Sequence, residues 1–571
     1  MIKTLSGSIR EYKKDSIMSV IYIVLEVIME CIIPFILANL VNGIRSNVPI
    51  SELFNQGLIL VVMAMLSLAF GILAGKKSAV ASSGFARNLR KDIFEKVQGF
   101  SFENIDSFSN SSLLTRLTTD VTNVQNAFMM IIRLAIRSPF MFVFSFVMSF
   151  IMGGKLAFIF VIVVPILLIG LAFIIIKAMK IFKQIFYKYD DMNNTIQENI
   201  KAIRLVKSLV REDFEINKFD KVATEVKDNF TFAEKIISLN APLMLFCLYV
   251  DTVLILFLGS YVIVSGVNPS FNVGQISALM TYSFMILSSL MMFSMVLVMI
   301  TMAMESSKRI SEVLNTESTI TDEKSLHKEL NSGEIEFKNV VFKYSDDVSF
   351  KIPSGSTVGI IGVTGSGKST LVQLIPRLYD INSGEILIDN TKIENIDIEL
   401  LREEVGMVLQ KNTLFSGTIR ENLKWGNKNA TDEELDLVCN IAQATEIINK
   451  MPNGYDEYIE QGGANLSGGQ KQRLCIARAL LKKPKILIFD DSTSAVDTKT
   501  DELIRRSLQS YMPETTKIII AQRILSVQNA DIILVIDKGE VVASGNHETL
   551  VIQDGLYRDL YLTQGGVVDE K

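Results

Sequence analysis

The sequence predicts a two-part molecule: a membrane domain of six transmembrane helices with long cytoplasmic extensions, then a soluble α/β domain built on a P-loop. Three observations predict it. Six apolar stretches fall within residues 1–305, each close to the ~20 residues that a bilayer's hydrocarbon core requires. Lys and Arg crowd into alternate connections between these stretches. The rest of the chain has ordinary soluble α/β patterning and carries VGIIGVTGSGKSTLVQLI, which reads as a buried strand, a glycine loop and the start of a helix.

Composition agrees with two kinds of territory. The 571 residues are 49% hydrophobic, too apolar for one large soluble protein, while 21% charged is too polar for a chain buried wholly in lipid. With 33 Gly and 11 Pro the chain is neither collagenous nor disordered. Fifty-seven Lys and Arg against 62 Asp and Glu leave a net charge of −5, which offers no basic field for nucleic acid. Cys31, Cys247, Cys439 and Cys475 form no CxxC pair, so neither a disulfide framework nor a zinc site is supported.

The spans are placed near residues 17–41, 57–75, 134–153, 156–176, 243–265 and 276–300. The basic N-terminus precedes an apolar run too long for a signal-peptide core, so it reads as a retained first span. Residues 1–16 carry Lys3, Arg10, Lys13 and Lys14, and twelve Lys and Arg lie between Lys177 and Lys235, whereas the connection after the first span has only Arg45. The positive-inside rule then puts both termini and both long polar segments in the cytoplasm. Those segments lack Pro and show helical apolar spacing, as in IQENIKAIRLVKSLVREDFEINKF, so they read as membrane helices continuing into water. Each is expected to end in a short helix touching the soluble domain, near residues 101–108 and near residues 201–207. The domain boundaries expected are 1–305 for the membrane part, 306–333 for a charged connector and 334–571 for the α/β part.

In the glycine loop, Gly362, Gly365 and Gly367 free backbone N–H groups to curl around phosphates, with Thr364, Ser366 and Thr370 in the same run. Lys368 reaches phosphate oxygens and Ser369 can ligate Mg2+. KILIFDD is a second buried strand that ends on Asp490, placed to hold the magnesium shell. Between the two lies NLSGGQKQRLCIARAL, a glycine turn feeding a helix. Leu466, Ser467, Gly468, Gly469 and Gln470 of that turn resemble the signature motif of ATP-binding-cassette proteins. With FSGTIRENLKWG, ARALLKKPKILIFDDSTSAVD and the six spans, the whole chain resembles a bacterial ABC exporter half-transporter. The resemblance implies ATP as ligand, Tyr344 stacking on adenine, Gln410 sensing magnesium and the γ-phosphate, and Asp497 facing the opposite ATP site. A half-buried strand-end aromatic is the plain alternative for Tyr344. The family usually has a strand and turn after that Tyr, yet KYSDDVSFKIPSG runs on almost directly.

Two positions depart from the pattern the resemblance implies. Where the family has a glutamate after the Walker B aspartate and a switch histidine on a later strand end, this chain has Asp491 and Gln522. Asp491 is one methylene short, and Gln522 cannot exchange a proton near neutral pH. A conservative drift in a working enzyme is one reading; a site that binds ATP and hydrolyses it poorly is the other. With LSGGQ intact, the chain resembles the degenerate-site subunit of heterodimeric bacterial multidrug exporters. Its implied partner is a second half-transporter carrying the glutamate and histidine.

For the substrate the sequence offers Met292, Met295 and Met299, spaced along one helix face, and the intramembrane carboxylates Glu26, Glu30 and Asp251. Pliable methionines suit a polyspecific hydrophobic ligand, or ordinary packing. The carboxylates suit either a cationic ligand or hydrogen bonds between helices. Arg133 and Arg137 are expected at the inner end of the third span. The leading function is therefore ATP-driven export of hydrophobic or amphipathic small molecules across the bacterial cell membrane, lipid surrounding the spans and no nucleic acid involved. An ATP-gated channel or regulatory subunit, or a lipid or peptide exporter, is the alternative.

Overall fold

Backbone inside hydrocarbon has no water to bond, so a spanning segment must satisfy its own N–H and C=O groups. All six apolar stretches do so as helices: Lys13–Arg45, Ile50–Gln98, Ile136–Gly153, Phe158–Ser208, Asn240–Ser265 and Val273–Asn315. The computed structural model describes residues 2–46, 48–266, 271–322, 329–342, 345–491 and 496–565. Its chain divides into two units, Met1–Gly99 with Phe108–Glu317, and Phe100–Ser107 with Ser318–Lys571.

By length and apolarity alone five helical stretches qualify as spans among the described residues, because Ser111–Phe182 is one 72-residue run. Gly154 breaks that run: its φ of +50° ends the third span and admits a short 3-10 turn before the fourth. The second and fourth helices have 49 and 51 residues. At ~1.5 Å per residue each is ~75 Å long, more than twice the ~30 Å hydrocarbon thickness, so their polar halves extend beyond it. On the second helix Leu58, Val61, Met65, Leu68 and Ile72 face outward, a surface for lipid, while Ala74, Ala81, Ala86 and Leu89 are buried against neighbours. The sixth helix continues to Asn315, so residues 306–315 are helix where a connector was expected.

In the polar part of this unit Asp120 is fully buried. Its carboxylate accepts from Arg309 Nε at 2.8 Å and Nη2 at 2.5 Å and from Ser306 Oγ at 2.8 Å. Arg116 donates to Glu312 Oε2 at 2.7 Å and to the Arg309 carbonyl at 3.0 Å. The segment after the second helix is thereby tied to the end of the sixth.

The second unit contains the expected α/β domain. Its larger sheet orders as β12 (Glu540–Gly545), β11 (Ile532–Asp537), β3 (Thr357–Ile361), β10 (Thr516–Ile520), β9 (Ile486–Asp490) and β6 (Val405–Val408). All of its pairings are parallel except β11 with β12. β9 and β10 are buried at every position, which is why they read as unbroken apolar runs. A four-stranded antiparallel sheet orders as β2 (Ser345–Ile352), β1 (Ile335–Phe342), β4 (Ser383–Ile388) and β5 (Thr391–Lys392). A small ribbon pairs β7 (Gly417–Thr418) with β8 (Tyr458–Ile459).

The short helix expected near residues 101–108 exists as Phe102–Ser107 and belongs to this second unit. Tyr379 donates its hydroxyl to Asp106 Oδ2 at 2.6 Å and packs edge-on to Phe102. Burial and the neighbouring Asp106 carboxylate push the Tyr379 phenol up to about 12. No matching short helix forms at residues 201–207, which lie inside Phe158–Ser208; the turn comes at residues 209–211, before Glu212–Ile237. The helical pattern there runs unbroken up to Ser208, so a helix boundary seven residues earlier had no local cause.

A cysteine pair replacing Phe102 and Tyr379, whose rings lie 6.1 Å apart, should crosslink within one chain under mild oxidation. Gel mobility of the full-length protein checks this, and exclusively interchain products would contradict the placement.

Candidate functional site

The phosphate loop is shaped by a steric demand at its first residue. A Cβ on Gly362 would lie 2.0 Å from the Ile536 carbonyl oxygen, so only glycine lets the chain leave β3 along β11. Gly365 and Gly367 then take φ of +84° and +97°, in the region that favours glycine. Thr364 and Gly365 form an exposed tip, whereas Ser366 is buried and its carbonyl accepts from Gly539 N at 2.9 Å.

Lys368 opens the helix Lys368–Gln373, and its Nζ donates to the carbonyls of Gly362 at 2.9 Å and Val363 at 2.7 Å. Burial lowers the pKa of this amine while the Asp491 and Asp490 carboxylates raise it. Ser369 donates its hydroxyl to Asp490 Oδ1 at 2.6 Å, at the end of β9, and Thr370 is exposed on the same helix. Burial pushes the Asp490 carboxyl up, the Ser369 bond draws it down and the adjacent Asp491 charge pushes it up again. A hydroxyl and a carboxylate side by side are hard oxygen donors of the kind magnesium takes, and a cation there would relieve the buried charge. The residues present fit the metal.

Asp491 follows with φ of +44°, a left-handed conformation that Asp tolerates better than most residues. Its Oδ2 accepts from Gln522 Nε2 at 2.9 Å and from Gln410 Nε2 at 3.4 Å. Three residues from different segments thus meet on one carboxylate oxygen. The sequence marked each of them singly, but nothing in it showed that they bond to one another.

The signature turn caps a helix. Ser467 Oγ accepts from Gln470 N at 3.4 Å, and Gln470 Oε1 accepts from Ser467 N at 2.8 Å, a reciprocal box that starts Gly468–Leu481. Ser467 and Gly468 are exposed, Gly469 is partly so, and Leu466 anchors the turn on the core. Asp497 caps Thr498–Tyr511 by accepting from Thr500 N at 3.0 Å, which draws its carboxyl down. Tyr344 lies outside the described residues, as do residues 492–495. Phe342 pairs with Ser345 at the end of the β1–β2 ladder.

In the membrane unit the carboxylates separate into two settings. Asp251 is fully buried and accepts from Ser283 Oγ at 2.9 Å, joining the fifth helix to the sixth. Glu26 and Glu30 both bind Arg137, so that arginine is a partner of the first span and not simply a positive flank of the third. The signal available in the sequence was an arginine within an apolar run together with two glutamates spaced one turn apart in another. Met292 lines a cleft with Glu30 and Arg137, Met295 and Met299 do not, and all three are exposed.

Residues 16–304 match the ABC transporter transmembrane region and residues 345–494 match the ABC transporter family. The YfiB ABC transporter ATP-binding protein of Bacillus subtilis is 38% identical over 96% of both chains. An ATP-dependent lipid A-core flippase of Desulfotalea psychrophila is 32% identical over 84% of this chain and 84% of its own. A bacterial Atm1-family ABC exporter solved with ATP bound shares the fold at a TM-score of 0.85, with 22% identity over 97% of this chain and all of that one. The chain belongs to the ABC transporter family. It joins one membrane domain to one ATP-binding domain, the composition of a half-transporter whose ATPase is coupled to transport.

Gly362→Ala should weaken ATP binding by at least about tenfold, since even one methyl meets the Ile536 carbonyl. Fluorescent-nucleotide titration of the full-length protein measures it, and wild-type affinity would refute the steric argument.

Proposed function

We propose that this chain is one half of a heterodimeric, ATP-driven exporter of hydrophobic or amphipathic compounds in the bacterial cell membrane, with both termini in the cytoplasm. Its own site, residues 362–369 with Asp490, binds ATP and Mg2+ and hydrolyses slowly. Its signature motif, led by Ser467, serves the ATP site built on the partner.

The observation that carries this reading is the state of Asp491. A base or water-positioner must bring its carboxylate up to the attacking water, and here a side chain one methylene shorter than glutamate has its Oδ2 held by two side-chain amides. Neither Gln522 nor Gln410 can pass a proton on near neutral pH. The missing methylene adds a displacement of about 1 Å, which costs on the order of 10²-fold in a positioned reaction. The binding groups Lys368, Ser369 and Asp490 are in place, so affinity and chemistry are weakened unequally. Asp497, by this reading, faces the partner's nucleotide, and the partner supplies the catalytic glutamate and switch histidine. The helix start is exposed at Ser467 and Gly468, the positive end of a helix dipole that a partner's γ-phosphate would meet. Lipid is a second candidate substrate, favoured by the Desulfotalea relative named a lipid A-core flippase.

Co-purification of differently tagged half-transporters tests the pairing; this chain recovered alone as a homodimer with brisk ATPase would sink it. Within the heterodimer, Asp491→Ala should leave most ATPase activity, whereas Ser467→Arg should reduce it strongly. Asp491→Glu with Gln522→His should add turnover at this site, readable as hydrolysis in a complex whose partner site has been disabled. Loss of all hydrolysis on Asp491→Ala would make Asp491 the catalytic residue after all. Uptake into inverted vesicles, as against single-channel conductance, separates transport from a gated pore.

A further inference from the structure

Residues of the first, third and sixth spans line an open cleft of about 380 Å³, within the range of small-molecule sites. Phe284, Met285 and Met292 give it apolar walls, Ser289 a polar one, and Glu30 and Arg137 the charge. Arg137 Nη1 donates to Glu26 Oε1 at 2.6 Å, and Nη2 donates to both oxygens of Glu30 at 2.7 and 2.8 Å. Glu26 sits one turn before Glu30, so both reach the same guanidinium from one helix face.

A clamp between the first and third spans requires one carboxylate for one guanidinium. This cluster has two, and Arg137 and Glu30 are only 24% and 26% exposed. With both glutamates ionised, one negative charge is left uncompensated beside apolar walls, a costly arrangement inside a bilayer. Of the two, Glu30 lines the cleft, while Glu26 lies outside its lining and holds Arg137 from the other side.

We propose that this cleft binds a hydrophobic organic monocation, with Glu30 as its counter-ion and Arg137, anchored by Glu26, fixing the Glu30 carboxylate in place. One positive charge neutralises the cluster, the aromatic ring of Phe284 and the polarisable thioethers of Met285 and Met292 suit a soft cation, and an anion would face the excess charge. Binding itself is independent of the export reading; that the cation is transported rests on it.

Tetraphenylphosphonium and tetraphenylborate, ions of the same shape and opposite charge, are the probes, titrated against the full-length protein in lipid nanodiscs. The phosphonium should bind at least about tenfold tighter, and Glu30→Gln should remove that preference. Equal binding of the two ions, or a preference unchanged in Glu30→Gln, overturns the proposal. Should Glu30→Gln fail to fold, Met292→Cys supplies a second measurement through thiol labelling. Protection by the phosphonium alone supports the site, and protection by both ions or by neither overturns it. If Glu30-dependent binding is found but ATP drives no uptake into vesicles, the site stands and the export reading fails; uptake without Glu30-dependent binding gives the reverse.

Discussion

Charge taken out of water must be matched, and the places where this chain matches it organise the rest of the molecule. In the membrane spans one guanidinium holds two glutamates. In the polar extensions Asp120 is enclosed by Arg309 and Ser306. In the ATP-binding unit Lys368, Asp490 and Asp491 influence one another across the end of the parallel sheet. At the first two places the helices that supply the charges are held in register by them, because separating the partners would leave a buried ion unpaired.

The three clusters differ in how far they are balanced. Asp120 is satisfied by protein groups alone and carries no surplus. The phosphate loop holds a lysine bonded to its own backbone carbonyls, with two acidic residues nearby, which is the electrostatic setting for an anion and a divalent cation arriving together. The membrane cluster has one carboxylate too many. Balanced clusters hold structure together, and the unbalanced ones lie where the chain's ligands would complete them.

Much of this was legible in the sequence, and the reasons are physical. A helix in hydrocarbon needs a long uninterrupted apolar run, so the six spans were visible from length and charge flanks. A strand buried on both faces, such as β9 or β10, reads as a continuous apolar run, so the ends that carry Asp490 and Gln522 were visible as well. Contacts between distant segments were not. Arg137 looked like a flanking charge because the sequence does not show which helices are neighbours. The bond from Gln522 to Asp491 depends on the left-handed turn at Asp491, and the turn at residues 209–211 depends on where a helix stops, for which no Gly or Pro gives notice.

The pairs Asp120 with Arg309 and Arg116 with Glu312 have a mechanical consequence. They rivet the segment following the second helix to the tail of the sixth, and Asp120 has no other cation bonded to it among the described residues. Pulling these two pieces apart would strand a fully buried carboxylate. Any opening or closing of the membrane unit therefore carries them as one lever, and its hinges lie elsewhere along the helices.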